Sequence, residues 1–265
     1  MIDRSHSLDG SQVGVTDAFW YARRHGETVG AATTVLEAVS KCVRVQSAVD
    51  IGCGTGTWLA VAKQFGAAKV LGLDGPHVPV EHLDINYTEF QATDLTKPPE
   101  NLGVFDLAIC LEVAEHLPVS FSEELLDFLT SLSNTVVFSA AIPGQGGNGH
   151  VNERWQEFWV LRFQERGYHC YDFLRPLIWN RNDIPQWYCQ NIFLFSRRDD
   201  LASIATKSGY FCLPASMRNV VHPKTFSHLV TRVDNPGIMR SVQLLRRAVL
   251  SRWKRSFASR TERAH

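Results

Sequence analysis

Two glutamates and two histidines stand at spacings that suit proton transfer or metal binding. Glu112, Glu115 and His116 form an E-x-x-E-H motif, and His150 follows in the glycine-rich stretch PGQGGNGHVNERW. If the motif is helical, separations of three and four residues place its side chains on one face. Two carboxylates with imidazoles suit a divalent cation such as Mg²⁺, Mn²⁺ or Zn²⁺. Without a metal, His150 would act as a general base or be an ordinary loop residue.

A second candidate site is the glycine-rich segment VDIGCGTGT at residues 49–57. It follows a predicted strand and opens a predicted helix, so its backbone N–H groups can face a ligand. Its glycines alternate with other residues and an acid comes two positions earlier; these residues are Asp50, Gly52, Gly54 and Gly56. A dinucleotide-binding loop would have Gly or Ala where Thr57 stands. The acid also suits a cationic ligand better than a pyrophosphate.

Acidic residues end the next two predicted strands. Asp74 ends the strand VLGLDG, where a carboxylate can accept hydrogen bonds from both hydroxyls of a ribose. Asp94 ends the segment FQATDL and is followed by Leu95. Asp94 also has a simpler interpretation, because aspartate often caps the turn that follows it.

The loop and the two acids together resemble the cofactor-binding motifs of class I S-adenosylmethionine-dependent methyltransferases. The resemblance covers residues 46–140 and includes the strand FDLAICLEVAEHLP. It implies that the glycines cradle S-adenosylmethionine and that Asp50 orders its cationic end. Asp74 would bind the ribose, and Asp94 with Leu95 would contact the adenine.

The E-x-x-E-H motif with a distant histidine resembles metal-dependent O-methyltransferases. It is similar to the ubiquinone-biosynthesis O-methyltransferases and to the small-RNA 3′-end 2′-O-methyltransferases. The resemblance implies methylation of a hydroxyl that lies beside another oxygen. It assigns catalysis, and the ligation of a divalent metal, to Glu112, Glu115, His116 and His150. Other methyltransferases carry the motif as a loop-ordering element and need no metal.

An alternation of strands and helices must position these residues. Apolar runs predict strands over 46–51, 69–73, 88–92, 105–111, 135–140 and 191–196. Helical patterns cover 58–65, 122–132 and 153–166, and one or two helices over 15–42 are interrupted near Gly26 and Gly30. This alternation predicts an α/β fold with a doubly wound, mostly parallel, Rossmann-like sheet. In such sheets ligands bind beyond the carboxyl ends of the strands, where both candidate sites fall.

The two ends of the chain differ in character from this core. We predict a flexible segment over 1–14, a methyltransferase domain with N-terminal lid helices over 15–197, and an extension over 198–265. From Pro236 onward there are eight Lys or Arg and one Glu. Apolar residues recur at helical spacing from Val242 to Phe257, which predicts a basic amphipathic helix. Such a helix can lie on an anionic membrane surface, or pack on the domain or on a partner.

Composition limits the class of protein and of acceptor. The formal net charge is zero, which disfavours nucleic acid as a partner, and no cysteine pair has metal-finger spacing. These features predict a reduced cytoplasmic protein, peripheral at a membrane if the terminal helix binds one. The expected acceptor is an oxygen, rather than a nitrogen, of a small molecule, sugar or glycan. Two alternatives are an RNA ribose 2′-O-methyltransferase and a catalytically silent module that binds the cofactor and acts through partner or membrane contacts.

Overall fold

The computed structural model describes residues 15–234, 241–242 and 245–246, and its centre is a seven-stranded sheet. In chain order the strands are β1 (Ser47–Ile51), β2 (Lys69–Asp74), β3 (Phe90–Ala92), β4 (Leu107–Leu111), β5 (Thr135–Ser139), β6 (His169–Tyr171) and β7 (Phe193–Ser196). Their order across the sheet is β3-β2-β1-β4-β5-β7-β6. The first five strands pair in parallel, whereas β7 runs antiparallel to β5 and β6. The predicted mostly parallel α/β sheet is confirmed.

The helices of the described residues are α1 (Val15–Cys42), α2 (Thr57–Gln64), α3 (Ser122–Leu132), α4 (Gln156–Glu165), α5 (Leu174–Ile178), α6 (Gln186–Asn191), α7 (Leu201–Lys207) and α8 (Pro223–Asp234). Those from α1 to α7 belong to the compact unit that contains the sheet, and they cover both of its faces. One apolar core includes Val35 of α1 and Leu59 of α2. The other includes Leu129 of α3 and Phe163 of α4. Two separate cores, one on each face, are what a doubly wound sheet requires.

The N-terminal helix differs from its prediction, because α1 continues through Gly26 and Gly30 without a break. Its later turns bury a stripe of small and β-branched residues, among them Ala31, Val35 and Val39. A glycine inside a helix lowers the stability of the helix by only about 1 kcal/mol relative to alanine. The free energy gained by burying such an apolar stripe is larger. The expected interruption is therefore wrong.

The strand β6 and the helices α5 and α6 gave no clear signal in the sequence. β6 has three residues and joins the sheet only through its antiparallel pairing with β7. The two helices have five and six residues, which is too short to show a helical period. All three elements lie at the β7 side of the sheet.

The first part of the predicted extension packs with the sheet. The compact unit that contains the sheet runs to His222, and a second unit begins at Pro223. Arg175 of α5 is fully buried and pairs with Asp172. It also donates hydrogen bonds to the carbonyl oxygens of Met217 (3.0 Å) and Arg218 (2.9 Å). Residues 198–222 thus extend the sheet-containing unit beyond the boundary at 197 that the sequence indicated.

Within the second unit, the structure describes α8 and four later residues. Phe226, Val230 and Val233 follow one another at helical spacing on α8, and each is exposed. The predicted flexible segment at 1–14 lies outside the described residues, as does most of the helix predicted from Val242 to Phe257. In the described part of the chain, no helix combines the length and apolar character needed to span a membrane.

Candidate functional site

The order of the sheet reverses between β1 and β4, and both candidate sites lie at the carboxyl ends of these two strands. The glycine-rich loop follows β1, and the E-x-x-E-H motif follows β4. Gly52 of the loop has a φ of 78°, and a Cβ built on it would lie 2.3 Å from the Val113 side chain. The missing side chain of Gly52 therefore lets the two sites approach each other.

The centre of the glycine loop is open. Gly54 has a φ of 53°, which favours glycine, and a Cβ built on it would meet no atom of the described residues within 4 Å. At Gly56, in contrast, a Cβ would lie 2.7 Å from the side chain of Ile85. Gly52 and Gly56 thus serve packing, whereas the space beside Gly54 is free for a ligand.

One acidic side chain contacts the glycine loop, and another lies in the strand that leads into it. One Asp74 oxygen accepts a hydrogen bond from the Gly54 N–H (2.7 Å), and the other accepts from the Gly75 N–H (2.6 Å). Asp74 thereby ties the end of β2 to the glycine loop. Asp50 is buried inside β1, and burial together with the nearby Asp74 carboxylate raises the pKa of Asp50 well above its ordinary value. A cationic group in the loop would favour the ionised form of Asp50.

Asp94 lies two residues beyond β3 and forms a local turn. Its Oδ1 accepts hydrogen bonds from the backbone N–H of Thr96 (2.9 Å) and from the Thr96 hydroxyl (2.7 Å). These bonds lower the pKa of Asp94, whose side chain is exposed. The turn-capping role is therefore present in the structure. Contacts of Asp94 and of the half-buried Leu95 with an adenine stay a prediction.

The E-x-x-E-H motif does not form the α-helix on which its expected geometry depended. Glu112 has a φ of 55°, a left-handed conformation that is strained for a residue other than glycine. Its N–H donates to the carbonyl oxygen of Ser139 at the end of β5 (3.0 Å). A single 3₁₀ turn, Ala114–His116, follows. The motif is a sharp strand-to-turn connection, and this changes which side chains meet.

Three of the four predicted metal ligands come together. The ligand atoms of Glu115, His116 and His150 all lie within 4.8 Å of one another. Glu115 is completely buried, and its carboxylate oxygens form no hydrogen bond of regular geometry with the described residues, although the Glu112 carboxylate and the backbone of Glu115 and Ala141 lie close to them. Burial, followed by the charge of the Glu112 carboxylate, raises the pKa of Glu115 to about 9. A buried carboxyl with such weak partners is costly unless a ligand compensates it.

The two imidazoles lie against each other, and His150 is also held through its Nδ1. Their ring centres lie 4.9 Å apart with nearly perpendicular planes, and burial followed by the His150 ring lowers the pKa of His116. His150 Nδ1 lies 3.0 Å from an oxygen of Glu153, and His116 Nδ1 faces Gly149. Such contacts orient a histidine and leave its Nε2 to act on a metal or on a proton.

Glu153 is a residue of this site that the sequence analysis missed. Besides His150, its carboxylate accepts hydrogen bonds from the N–H groups of Gly144 (2.7 Å) and Gly146 (2.6 Å). Although burial opposes it, these bonds lower the pKa of Glu153. The available signal was its position three residues after His150, inside the stretch GHVNERW.

Glu112, the fourth predicted ligand, is not part of this cluster, and its carboxylate is hydrogen-bonded to side-chain amides. Its two carboxylate oxygens accept hydrogen bonds from Gln145 Nε2 (3.1 Å) and from Asn191 Nδ2 (3.2 Å). Burial raises the pKa of Glu112, and hydrogen bonds from Ser139, Asn191 and Gln145 partly offset this effect. Gln145 and Asn191 were not predicted, because the pairing of distant amides with a carboxylate depends on the fold.

The comparison with protein families identifies the chain as a member of a methyltransferase family. Residues 22–182 match the model of a family described as a methyltransferase domain. A ubiquinone biosynthesis O-methyltransferase of Marinobacter nauticus is 30% identical over 80 residues. That match covers 27% of this chain and 33% of the relative, so the chain matches about a third of this curated relative's length.

Solved structures show the same fold at low sequence identity. A magnesium protoporphyrin IX methyltransferase from Synechocystis PCC 6803, with bound S-adenosylhomocysteine, superimposes with a TM-score of 0.51 at 20% identity. The match covers 72% of this chain and 90% of that one. A sugar N-methyltransferase from Streptoalloteichus sp ATCC 53650 gives a TM-score of 0.50 at 16% identity, over 75% of this chain and 99% of that one.

Proposed function

Because the chain belongs to the methyltransferase-domain family, in which S-adenosylmethionine is the methyl donor, we propose that it methylates an oxygen of a small molecule, sugar or glycan. The resemblance predicted from the glycine loop is thereby confirmed at the level of family and fold. The proposal for the acceptor rests on one observation: Glu115, His116 and His150 converge beside the cofactor loop.

A divalent metal fits these three residues. Glu115 offers two buried oxygens without a hydrogen bond of regular geometry, and one ligand atom from each of Glu115, His116 and His150 lies within 4.8 Å of the others. Mixed carboxylate and imidazole ligands suit Mg²⁺, Mn²⁺ or Zn²⁺. When bound, such a metal would act as a Lewis acid on an acceptor hydroxyl, and Glu112 would stand beside the ligands. An acceptor with two adjacent oxygens suits this arrangement best.

The protein's own residues account for the remaining steps. The glycine loop holds the donor, and methyl transfer is then an in-line displacement in which positioning supplies much of the rate. The acceptor oxygen forms a bond to the methyl carbon as the bond from sulfur to that carbon breaks, which leaves S-adenosylhomocysteine. With a metal bound, Nε2 of His150 would be a ligand, and the acceptor's proton would pass to solvent. Without a metal, the proton passes to Nε2 of His150, while Glu153 stabilises the positive charge that the imidazole gains.

The test is a methyl-transfer assay with acceptors that differ in one feature. A catechol and a glycoside with adjacent hydroxyls should be methylated, whereas the matched phenol and the deoxy sugar that lack the second oxygen should react much more slowly. Equal rates for each matched pair would contradict the proposal. Methylation of a short RNA alone would favour the ribose 2′-O-methyltransferase alternative. Binding of S-adenosylmethionine without transfer to any acceptor would favour the silent module.

We also propose that the second unit contacts an anionic membrane surface. Phe226, Val230 and Val233 form an exposed apolar stripe on α8, which starts this unit. The chain that follows is rich in basic residues, with eight Lys or Arg against one Glu from residue 236 onward. Exposed apolar side chains together with clustered basic residues suit a surface of anionic lipid. This arrangement would bring the enzyme to an acceptor that is carried on a lipid.

A further inference from the structure

The loop over residues 143–150 carries His150 and is fastened to the protein at two points. At the first point, Glu153 accepts hydrogen bonds from two backbone N–H groups of the loop and pairs with His150. At the second point, Gln145 reaches out of the loop to the E-x-x-E-H motif. The Gln145 Nε2 donates to an oxygen of Glu112 (3.1 Å). One side chain thus connects the loop that holds His150 with the strained turn that holds the acids.

The other end of the Gln145 amide is held just as firmly. Its Oε1 accepts hydrogen bonds from Gln190 Nε2 (3.0 Å) and from Asn191 Nδ2 (3.0 Å). Asn191 donates to the second oxygen of Glu112 as well. The three amides and the carboxylate therefore form a closed network in which every connection is a side-chain hydrogen bond.

The two anchoring amides are buried within the sheet-containing unit. Gln190 and Asn191 end α6, one residue before β7 begins. The Oε1 of Gln190 accepts a hydrogen bond from the backbone N–H of His222 (2.8 Å), the last residue of the sheet-containing unit. A buried polar network of this kind is costly unless it is complete, so its presence beside the acids calls for a reason other than packing.

We propose that Gln145 is a positioning residue that fixes the His150 loop to the acidic motif, with Gln190 and Asn191 as its anchor. This proposal rests on the proposed function, because it gives Gln145 a role in holding the proposed catalytic residues in place. Gln145 acts through Glu112 and through its own loop, and it takes no part in holding the cofactor. The cofactor loop is fixed independently, by the contacts of Gly52 with Val113 and of Asp74 with Gly54.

The test compares Gln145→Leu with Gln164→Leu, the same change at an exposed position of α4. In Gln145→Leu, hydrogen exchange of the backbone amides at 144–150 should speed up, while amides of β1 and α2 keep their protection. Loss of a residue that orients metal ligands without touching the metal usually lowers metal affinity or activity by about 10- to 100-fold. The affinity for Mn²⁺ should therefore fall by about that factor, and kcat with the best acceptor should fall by a similar factor. The affinity for S-adenosylhomocysteine should stay unchanged. Gln164→Leu should resemble the wild type in every measurement.

A second variant, Gln145→Glu, keeps the size of the side chain in case the leucine variant fails to fold. It retains an oxygen for the two anchoring amides but places a carboxylate against Glu112, so the same loop amides should lose protection. Unchanged exchange at 144–150 in this variant would overturn the proposal. A uniform loss of amide protection, cofactor affinity and activity would also overturn it, because that result indicates a merely structural role. If the wild type neither binds Mn²⁺ nor methylates any acceptor, the proposed function fails, whereas the exchange measurement still decides the role of Gln145.

Discussion

His150 and Glu153 contact each other, with 3.0 Å between the imidazole Nδ1 and the carboxylate, at the base of the loop that brings His150 to Glu115 and His116. The same carboxylate binds the backbone of that loop. The contact orients the His150 ring within the cluster. Because Glu153 holds both the ring and the loop, we expect its loss to affect turnover more than cofactor binding.

Glu153→Gln should lower kcat by about 10- to 100-fold, because the amide cannot accept three hydrogen bonds or balance an imidazolium. The KM for S-adenosylmethionine should change little. Steady-state kinetics with a fixed acceptor will measure both values, and Glu165→Gln, at an exposed position of α4, is the matched control. A loss confined to the KM of the cofactor would contradict this role.

Asp74→Ala should weaken binding of S-adenosylhomocysteine by about 10- to 100-fold. Loss of the carboxylate leaves the hydroxyls of the bound ribose unpaired, at a cost of about 1–3 kcal/mol, and frees the Gly54 N–H. Asp94→Ala is the comparison, because Asp94 is exposed and its hydrogen bonds stay within its own turn, whereas Asp74 is bonded to the glycine loop. We expect its effect on affinity to be the smaller of the two. Calorimetry will measure both, and a larger effect at Asp94 would reverse the assignment.

Asp50→Asn should stabilise the protein without ligand and weaken its cofactor binding. Burial raises the pKa of Asp50, so above the unfolded pKa the folded state must either take up a proton at this carboxyl or hold it ionised without solvent, and both destabilise the fold. For an acid with a raised pKa in the folded state, this cost is complete above that pKa and disappears as pH falls to the unfolded value of about 4. The gain in Tm for Asp50→Asn should therefore vanish toward about pH 4, grow as pH rises, and level off above the raised pKa of Asp50.

Thermal scans across this pH range, with and without S-adenosylhomocysteine, will separate the two effects. The ligand should stabilise the wild type more than Asp50→Asn, because only the carboxylate can balance the cationic end of the cofactor. A variant less stable than the wild type at every pH would show that Asp50 is structurally required.

Removal of divalent cations should abolish methyl transfer and leave cofactor binding intact. The two sites share the edge of the sheet but use different residues: the metal would be held by Glu115, His116 and His150. Excess chelator followed by dialysis, with activity and S-adenosylhomocysteine affinity measured before and after, will show this separation. Added Mg²⁺, Mn²⁺ or Zn²⁺ should restore turnover. Full activity in chelator would instead leave His150 as a general base that needs no metal.

The sequence was most informative where function depends on local spacing. The alternating glycines and the acids at strand ends predicted the cofactor site, because a loop after a parallel strand has few ways to present its backbone. The approach of His150 to the E-x-x-E-H motif was expected because the strands that precede them are neighbours in the sheet. The helix expected for the motif itself is absent, because Glu112 adopts a left-handed conformation.

The missed residues are those whose role depends on distant parts of the chain. Asn191 lies 79 positions from Glu112, and its link to the acidic motif exists only because α6 ends beside β5 and β7. Similarly, the boundary expected after residue 197 ignored Arg175, whose hydrogen bonds hold 217–218 to the sheet-containing unit. No periodicity within one segment indicates such contacts, because they are properties of the assembled fold.

Truncation after Asn235 should remove binding to anionic vesicles and preserve activity on an acceptor in solution. It deletes the basic residues that follow and keeps α8 with its apolar stripe. Each basic residue near an anionic surface contributes roughly 1 kcal/mol to binding. The loss of all eight Lys and Arg residues that follow Asn235 should therefore abolish binding. Sedimentation with vesicles of anionic lipid, and with neutral vesicles as the control, will measure this. Binding of the full chain should also weaken as salt shortens the Debye length from about 10 Å at 0.1 M to about 3 Å at 1 M. If the full chain ignores anionic vesicles and truncation lowers the Tm, the terminal segment packs on protein, and the membrane proposal is wrong.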